Sequence, residues 1–341
     1  MKKITIVMLV ILCVVGLPLM AQGANDGVVY LNMGSTSSTS GVYAWCVAAG
    51  NAINKSNSGI QVTVIESGAG IDNLKKVKSG IFDFALSVDV PSSYLMYKGL
   101  DTFKGQAFPE LRWLLVRNII SDRIYVRKDS GITKWADLAK KRFCPGIPGS
   151  AAASYITKYN EILKTGINLV PMALGDATNA LKEKKIVGLQ KSGGLYSMDS
   201  SLIEVNMTTP LSVIGFTQDE VQQITKIMPY LTFTEIKKGA IKEFPDIGPF
   251  YEETPIAGGV ASSKLSQEIG YKIVKAYYEN LKDIQSAYSP AAGWNPIADY
   301  FKYAIGDEVV PAHAGLVQYA KELGIDVPAK FIPPEYKDVT K

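Results

Sequence analysis

Residues 33–53 constrain this chain more than any other stretch, because a strand end, six consecutive hydroxyl residues and a helix follow one another there. Residues 28–33 are β-branched and aromatic, the composition of a buried strand. Val42, Trp45, Cys46, Ala49, Ala52 and Ile53 recur at helical spacing and predict a helix over about 41–55 with one face in a core. Between strand and helix stand Ser35, Thr36, Ser37, Ser38, Thr39 and Ser40, bounded by Gly34 and Gly41. A helix start carries unpaired N–H groups and a partial positive charge, so this loop offers donors to a carboxylate or phosphate. It could equally be a solvated loop whose Ser or Thr caps the helix.

The pattern repeats. Residues 61–65 read as a strand ending in Glu66-Ser67-Gly68-Ala69-Gly70, a helix follows over about 71–79, and residues 82–89 form a third strand that again finishes on small or polar residues. Strands alternating with helices, with polar residues at the strand C-terminal ends, predict an α/β fold with a mainly parallel sheet and a ligand crevice beyond those ends. A second small-residue loop enters a helix through Gly149 and Ser150, and that helix buries Tyr155, Ile156, Tyr159, Ile162 and Leu163 before stopping at Gly166. Two such loops, one from each of two lobes, could hold one small polar ligand. Further strands are expected at 111–115, 123–126, 170–172, 186–189, 202–205, 211–214 and 255–262. Helices are expected over 133–138, capped by Thr133, and 176–184, capped by Asp176, then over 218–228, 266–282, 295–304 and 314–323, before an extended tail from Asp326.

Lys2-Lys3, the apolar run 4–20 and Ala21-Gln22-Gly23 predict a secretory signal over 1–23, cut between Gly23 and Ala24. Cys13 follows Leu12, not the small residue a lipoprotein signal needs. Export to the periplasm is expected. The remaining chain of about 318 residues suffices for two domains. Without Lys2 and Lys3 the formal charge falls from +4 to about +2, which implies no nucleic-acid partner. Cys46 and Cys144 are expected unpaired, because they fall in different lobes and a bond would restrain their motion.

Catalysis has little to build on. The chain has one histidine, His313, placed just before a helix where capping or packing is the expected role, and a zinc site with two His is excluded. The nucleophile elbow, P-loop, dinucleotide fingerprint and zincin motifs are absent, position 73 being Asn where a glycine would complete the fingerprint. Glu66 and Asp72 could form a carboxylate pair. No enzyme activity and no cofactor are expected.

Gly34-Ser35-Thr36 with Gly41-Val42-Tyr43, the segment Glu66-Ser67-Gly68-Ala69-Gly70-Ile71-Asp72-Asn73-Leu74, Gly80-Ile81-Phe82-Asp83-Phe84-Ala85-Leu86, Arg127-Lys128-Asp129-Ser130-Gly131-Ile132, Pro148-Gly149-Ser150 and Pro311-Ala312-His313-Ala314-Gly315 occur in one order over residues 28–324. Together they resemble the TAXI family, the extracytoplasmic solute receptors of tripartite ATP-independent periplasmic (TRAP) transporters. The resemblance implies a type II periplasmic-binding-protein fold, with lobe I at 27–117 plus 259–325, lobe II at 118–258 and a tail at 326–341. It also implies a monomeric receptor for a small anionic ligand, amino-acid-like or dicarboxylate-like, whose partner is the TRAP membrane subunits. Carried over by position, ligand contacts fall on Ser35, Thr36, Ser38, Thr39 and Tyr43, with Ser67, Gly68, Asn73, Ser87 and Asp89 around them. Lobe II would add Gly149, Ser150, Ala151 and Ser154, with Gly193 and Gly194. The chain departs from the family at Ser37-Ser38, where two glycines are usual, near Val88, at Asn118, where Tyr is common, and at Ile186-Val187-Gly188-Leu189. Arg117, Arg123 and Arg127 are each open as a carboxylate clamp or as a hinge or surface residue. A secreted hydrolase on a similar scaffold and a ligand sensor for a membrane kinase are the alternatives.

Overall fold

A computed structural model describes residues 27–291, 296–302 and 309–339. The expected signal over 1–23 and part of the helix expected over 295–304 lie outside the described residues. The strands are β1 (Val29–Gly34), β2 (Ile60–Ile65), β3 (Phe84–Asp89), β4 (Leu111–Arg127), β5 (Arg142–Cys144), β6 (Asn168–Leu169), β7 (Gly188–Gly194), β8 (Leu211–Ile214), β9 (Phe233–Ile236), β10 (Phe250–Glu253) and β11 (Ile256–Ser262). The helices that bear on the site are α1 (Gly41–Lys55), α2 (Gly70–Lys78), α3 (Val90–Lys98), α4 (Ala151–Ile162), α5 (Leu174–Lys182) and α6 (Ser200–Thr208).

Among the described residues nine strands form one sheet in the order β2-β1-β3-β11-β4-β7-β5-β6, with β8 paired to β4, while β9 and β10 form a separate hairpin. β1 is parallel to β2 and β3, and β5 is parallel to β6 and β7. Each parallel trio is closed by an antiparallel strand that arrives from the other lobe: β11 beside β3, and the second half of β4 beside β7. The two halves therefore share one strand order, and β4 and β11 cross between them side by side. This is the two-lobed type II α/β architecture expected from the sequence.

The runs at 111–115 and 123–126 are one seventeen-residue strand, almost wholly buried, because residues 116–122 pair in turn with β11 and β7. The run Leu202-Ile203-Glu204-Val205 is helical, not a strand. The Asp199 side chain caps α6, and Leu202 and Val205, three residues apart, bury one face. α3 is an element that hydrophobic periodicity does not reveal; its signal is the pair Asp89 as N-cap and Pro91 in the first turn. The 176–184 helix begins earlier, at Leu174, so Asp176 lies in its first turn instead of capping it. Thr133 is likewise not a cap acceptor: its N–H and hydroxyl both bond the Asp137 carboxylate. The helix expected over 266–282 ends at Glu279, and a second one runs over Leu281–Ala287. The tail is not free: Phe331 is fully buried and Glu335 makes a bidentate contact with Arg112 at 2.6 and 2.9 Å. Among the described residues no helix is long and apolar enough to cross a membrane.

Candidate functional site

The C-terminal ends of β1, β3 and β7 and the N-termini of α1, α2 and α4 meet around a cavity of about 120 Å³ between the lobes. The hydroxyl-rich loop divides its labour there. Ser35 is fully buried; its Oγ donates to the Ile65 carbonyl at 2.7 Å, and its own carbonyl accepts from Ser67 Oγ at 2.8 Å and Asn73 Nδ2 at 2.7 Å. Asn73 Nδ2 also reaches the Leu86 carbonyl, so Ser35, Ser67 and Asn73 tie the ends of β1, β2 and β3 together. Ser38 binds Glu66 through its N–H and its hydroxyl, and Thr39 pairs with Ser37. Thr36, Ser37 and Ser40 line the cavity, Ser40 while capping α1 at Val42 N. Tyr43 is half-buried on the helix and outside the lining.

The small-residue loops meet each other across the cleft. The Gly149 carbonyl accepts from Ile71 N at 3.1 Å and Asp72 N at 3.2 Å, so the first free N–H groups of α2 are spent on an interlobe contact and not left for a solute. Gly68 lies under the Pro148 carbonyl, which a Cβ there would approach to 3.0 Å. Ser150 caps α4 by accepting from Ala153 N while donating to the Ile147 carbonyl, and it lines the cavity together with Ala151. Ser154 faces Thr102 at the lobe interface. Gly193 and Gly194 stand where β7 packs against Ser197: a Cβ at Gly194 would lie 2.4 Å from the Ser197 hydroxyl. Further bridges join the lobes. Tyr155 Oη donates to Asp89 Oδ1 at 3.0 Å, and Tyr288 Oη donates to Asp199 Oδ2 at 3.1 Å.

Two of the register irregularities beside β11 place side chains on the wall of this cavity. β3 skips Ser87 between Leu86↔Gly259 and Val88↔Gly258, and Ser87 takes φ +59, a conformation costly for an L-residue, on the cavity wall. β4 skips Arg117 between Val116↔Gly258 and Asn118↔Ala257. Gly258 permits the crossing because a Cβ there would sit 2.0 Å from the Leu115 carbonyl. Arg117 is only 3% exposed, its guanidinium carbon 4.9 Å from the Trp45 ring and 5.2 Å from the Tyr288 ring. Its Nε and Nη1 have no hydrogen-bond partner, and it lines the cavity. Among the described residues this buried cation is held by ring faces and has no counter-charge of the kind that ordinarily accompanies burial.

Sequence reasoning left Arg117 as one of three arginines, and it missed Asp122, Gln190, Lys191 and Ser192, all of which line the cavity. Asp122 accepts from the Ser192 hydroxyl and from Gln190 Nε2. Burial pushes its carboxyl up to about 7, with the nearby Asp89 adding to the rise and Ser192 opposing it. Asp89, buried as the cap of α3, is also raised by burial, against its bonds from Ser92 and Tyr155. Lys191 is already neutralised by Asp199 at 3.2 Å. The signal for Asp122 was available: a charged residue inside a run otherwise reading as a buried central strand is the informative exception.

His313 is not part of this cavity lining. It caps the helix Ala314–Glu322, with Nδ1 accepting from Gly315 N and Nε2 facing the Leu265 carbonyl, and burial lowers its pKa to about 4. Cys46 and Cys144 are both buried free thiols. Among the described residues no group of three or more His, Cys, Asp and Glu side chains could hold a metal ion.

A model of the NMT1-like family matches residues 33–324 of the chain. No curated protein matches it. Among solved structures, an ancestral arginine-binding protein bound to arginine is similar over 77% of this chain and 98% of its own, at 16% identity and a TM-score of 0.48. The GluR0 ligand-binding core from Nostoc punctiforme in complex with L-glutamate is similar over 77% of this chain and 99% of its own, at 13% identity and 0.48. A Salmonella typhimurium periplasmic binding protein of high arginine specificity is similar over 76% and 99%, at 13% identity and 0.48.

Proposed function

We infer that this chain, which belongs to the NMT1-like family, is an extracytoplasmic receptor for a small solute that carries a carboxylate. The observation that carries this reading is Arg117: a guanidinium buried on the cavity wall, gripped by two rings, with two nitrogens unpartnered. A carboxylate accepts two parallel bonds from a guanidinium through Nη2 together with Nε or with Nη1, and the low dielectric between the lobes strengthens them. Asp122 and Asp89 line the same cavity as acceptors for an ammonium or hydroxyl group, which fits an amino-acid-like solute; a dicarboxylate would turn its second carboxylate to the hydroxyls of Thr36 and Ser37 instead.

Binding is coupled to closure. The solute bridges Arg117 and Ser87 on the first lobe's strands to Ser150, Ala151 and Ser192 on the second, and so draws an open population toward the closed arrangement held by the Gly149, Tyr155 and Tyr288 bridges. The resemblance to TAXI receptors supports delivery of the closed form to TRAP membrane subunits, and the sequence of residues 1–23 supports a periplasmic location.

The test is calorimetric titration of the chain lacking residues 1–23 with amino acids, dicarboxylates, keto acids, their matched amides and neutral sugars. Saturable binding of one carboxylate class, lost when the carboxylate becomes an amide, is the expected result. Preference for a neutral sugar, or equal affinity for acid and amide, overturns it. For delivery, vesicles carrying the TRAP subunits should accumulate the solute on an ion gradient without ATP.

A further inference from the structure

The crossing strands have two faces, and the cleft cavity uses only one. Along β4, Ile120 and Asp122 line the cleft, whereas Ile119 lines a second cavity of about 250 Å³. β11 repeats the division: Ala257 lines the cleft cavity and Ile256 the second one. Neighbouring residues of an extended strand point to opposite faces, so the two cavities lie back to back with the hinge strands as their partition.

Both lobes wall the rear cavity. Val90 and Pro91 come from the first turn of α3, Leu195 from the segment after β7, and Thr232 and Thr234 from the β9 region. None of the described lining residues is charged, and most of the wall is aliphatic. Its threonines are tied to each other: Thr232 Oγ1 donates to the Thr254 carbonyl at 2.9 Å, and the Thr234 and Thr254 hydroxyls pair at 2.7 Å. In that hydroxyl pair one oxygen donates and the other accepts, which leaves one hydroxyl proton to reach a further acceptor. A charged molecule would lose its hydration here with no counter-charge to replace it. A neutral one with an apolar body loses little and gains the burial.

We propose that the rear cavity binds a small neutral molecule with an apolar body and one hydroxyl or carbonyl oxygen, and that its presence holds the lobes closed. The hinge strands are the pivot, so lobes that part at the cleft approach one another behind it. A body lodged between Pro91 of the first lobe and Leu195 of the second resists that approach. The coupling is reciprocal: closure of the cleft also preserves the rear cavity.

Cyclohexanol, a neutral ring with one hydroxyl, is the probe, titrated into methyl-labelled protein with no solute present. Saturable shifts of the Ile119 and Ile256 methyl signals are expected, and they vanish in L195W and in T234L, two independent ways of filling the cavity. Closure is read separately by hydrogen exchange of the Ile71 and Asp72 amides, whose bonds to the Gly149 carbonyl break when the lobes part. Saturating cyclohexanol should slow both by about fivefold or more, the lower end of ordinary coupling factors. Absence of a saturable methyl shift, or a shift that persists in both variants, overturns the site. Saturable shifts with unchanged exchange at Ile71 and Asp72 overturn the coupling. Neither readout depends on which solute the cleft takes.

Discussion

Arg117 and Arg123 stand six residues apart on β4, both essentially without solvent contact, yet their surroundings are opposite. Arg123 lies in a regular stretch of ladder opposite Lys191. Its Nε and Nη2 meet both oxygens of Glu252 at 2.8 and 2.9 Å, and its remaining donors reach the Ser197 and Leu195 carbonyls. Arg117 lies in a bulge, between two aromatic rings, without a carboxylate partner among the described residues. Burial alone does not separate a structural charge from a binding one. What separates them is whether the donors are satisfied within the chain, because an unsatisfied buried cation is tolerated only where something else is gained.

The largest effect should come from breaking the satisfied side. Arg123→Met leaves Glu252 buried without its partner and is expected to cost about 3–5 kcal/mol of stability, read as a lowered urea midpoint at unchanged slope. A loss under about 1 kcal/mol would mean that the pair contributes no more than a surface contact.

Arg117→Met is the reciprocal change. Carboxylate affinity should fall by about 2–5 kcal/mol, as when a buried charge pair loses one member. Stability should move by no more than about 1 kcal/mol, since removing an unpaired charge partly offsets the missing attraction between the guanidinium and the two ring faces. Calorimetry and urea unfolding on the same preparation check both numbers. If stability falls as far as in Arg123→Met while affinity holds, the contrast between the two arginines is wrong.

The contrast was only half legible in the sequence. The alternation of strand and helix fixed the class of fold, because period and turn residues are local properties. Ser87, Asp89, Ser150 and Ala151 were legible as cavity-lining candidates because they sit at strand ends and helix starts. Arg117 was legible only as one of three candidate clamps, and Asp122 only as a charge inside a buried run, because their roles depend on a bulge in one strand and on partners tens of residues away, such as Tyr288 and Ser192. Ser35 and Asn73 show the converse. The Ser35 hydroxyl and the Asn73 amide nitrogen, both promising as ligand donors, are spent on backbone carbonyls, which no spacing rule reveals.

Asp122 sharpens the comparison by pH. Burial pushes its folded carboxyl up to about 7, against about 4 for an unfolded one, so between those values the folded state holds a proton that the unfolded state has released. Stability should therefore rise as pH falls from 8 through 7 and level off below 4. Asp89 and Glu253, also raised by burial, act in the same direction. Asp122→Asn should flatten the gain between pH 8 and pH 5.5 by more than about 1 kcal/mol, measured by urea midpoints. Retention of the full wild-type slope in the variant would place the proton elsewhere. Protonation of Asp122 also removes the charge that would face a solute ammonium, so affinity for an amino-acid-like solute should weaken over the same descent, whereas affinity for a solute bearing carboxylates alone should strengthen.

The smallest effect is expected at Ser150, which lines the cavity as Arg117 does but is satisfied as Arg123 is. Its Oγ accepts from Ala153 N and donates to the Ile147 carbonyl, leaving it one lone pair. Ser150→Ala should cost about 1 kcal/mol of stability through the lost cap of α4. A side chain already engaged within the chain has little left to give a solute, so affinity should weaken by about threefold or less, well under the tenfold that 1.4 kcal/mol represents. Unfolding and calorimetry together decide it. An affinity loss larger than the stability loss would show that a capped hydroxyl still serves the solute, and that satisfaction within the chain separates roles for charges but not for neutral donors.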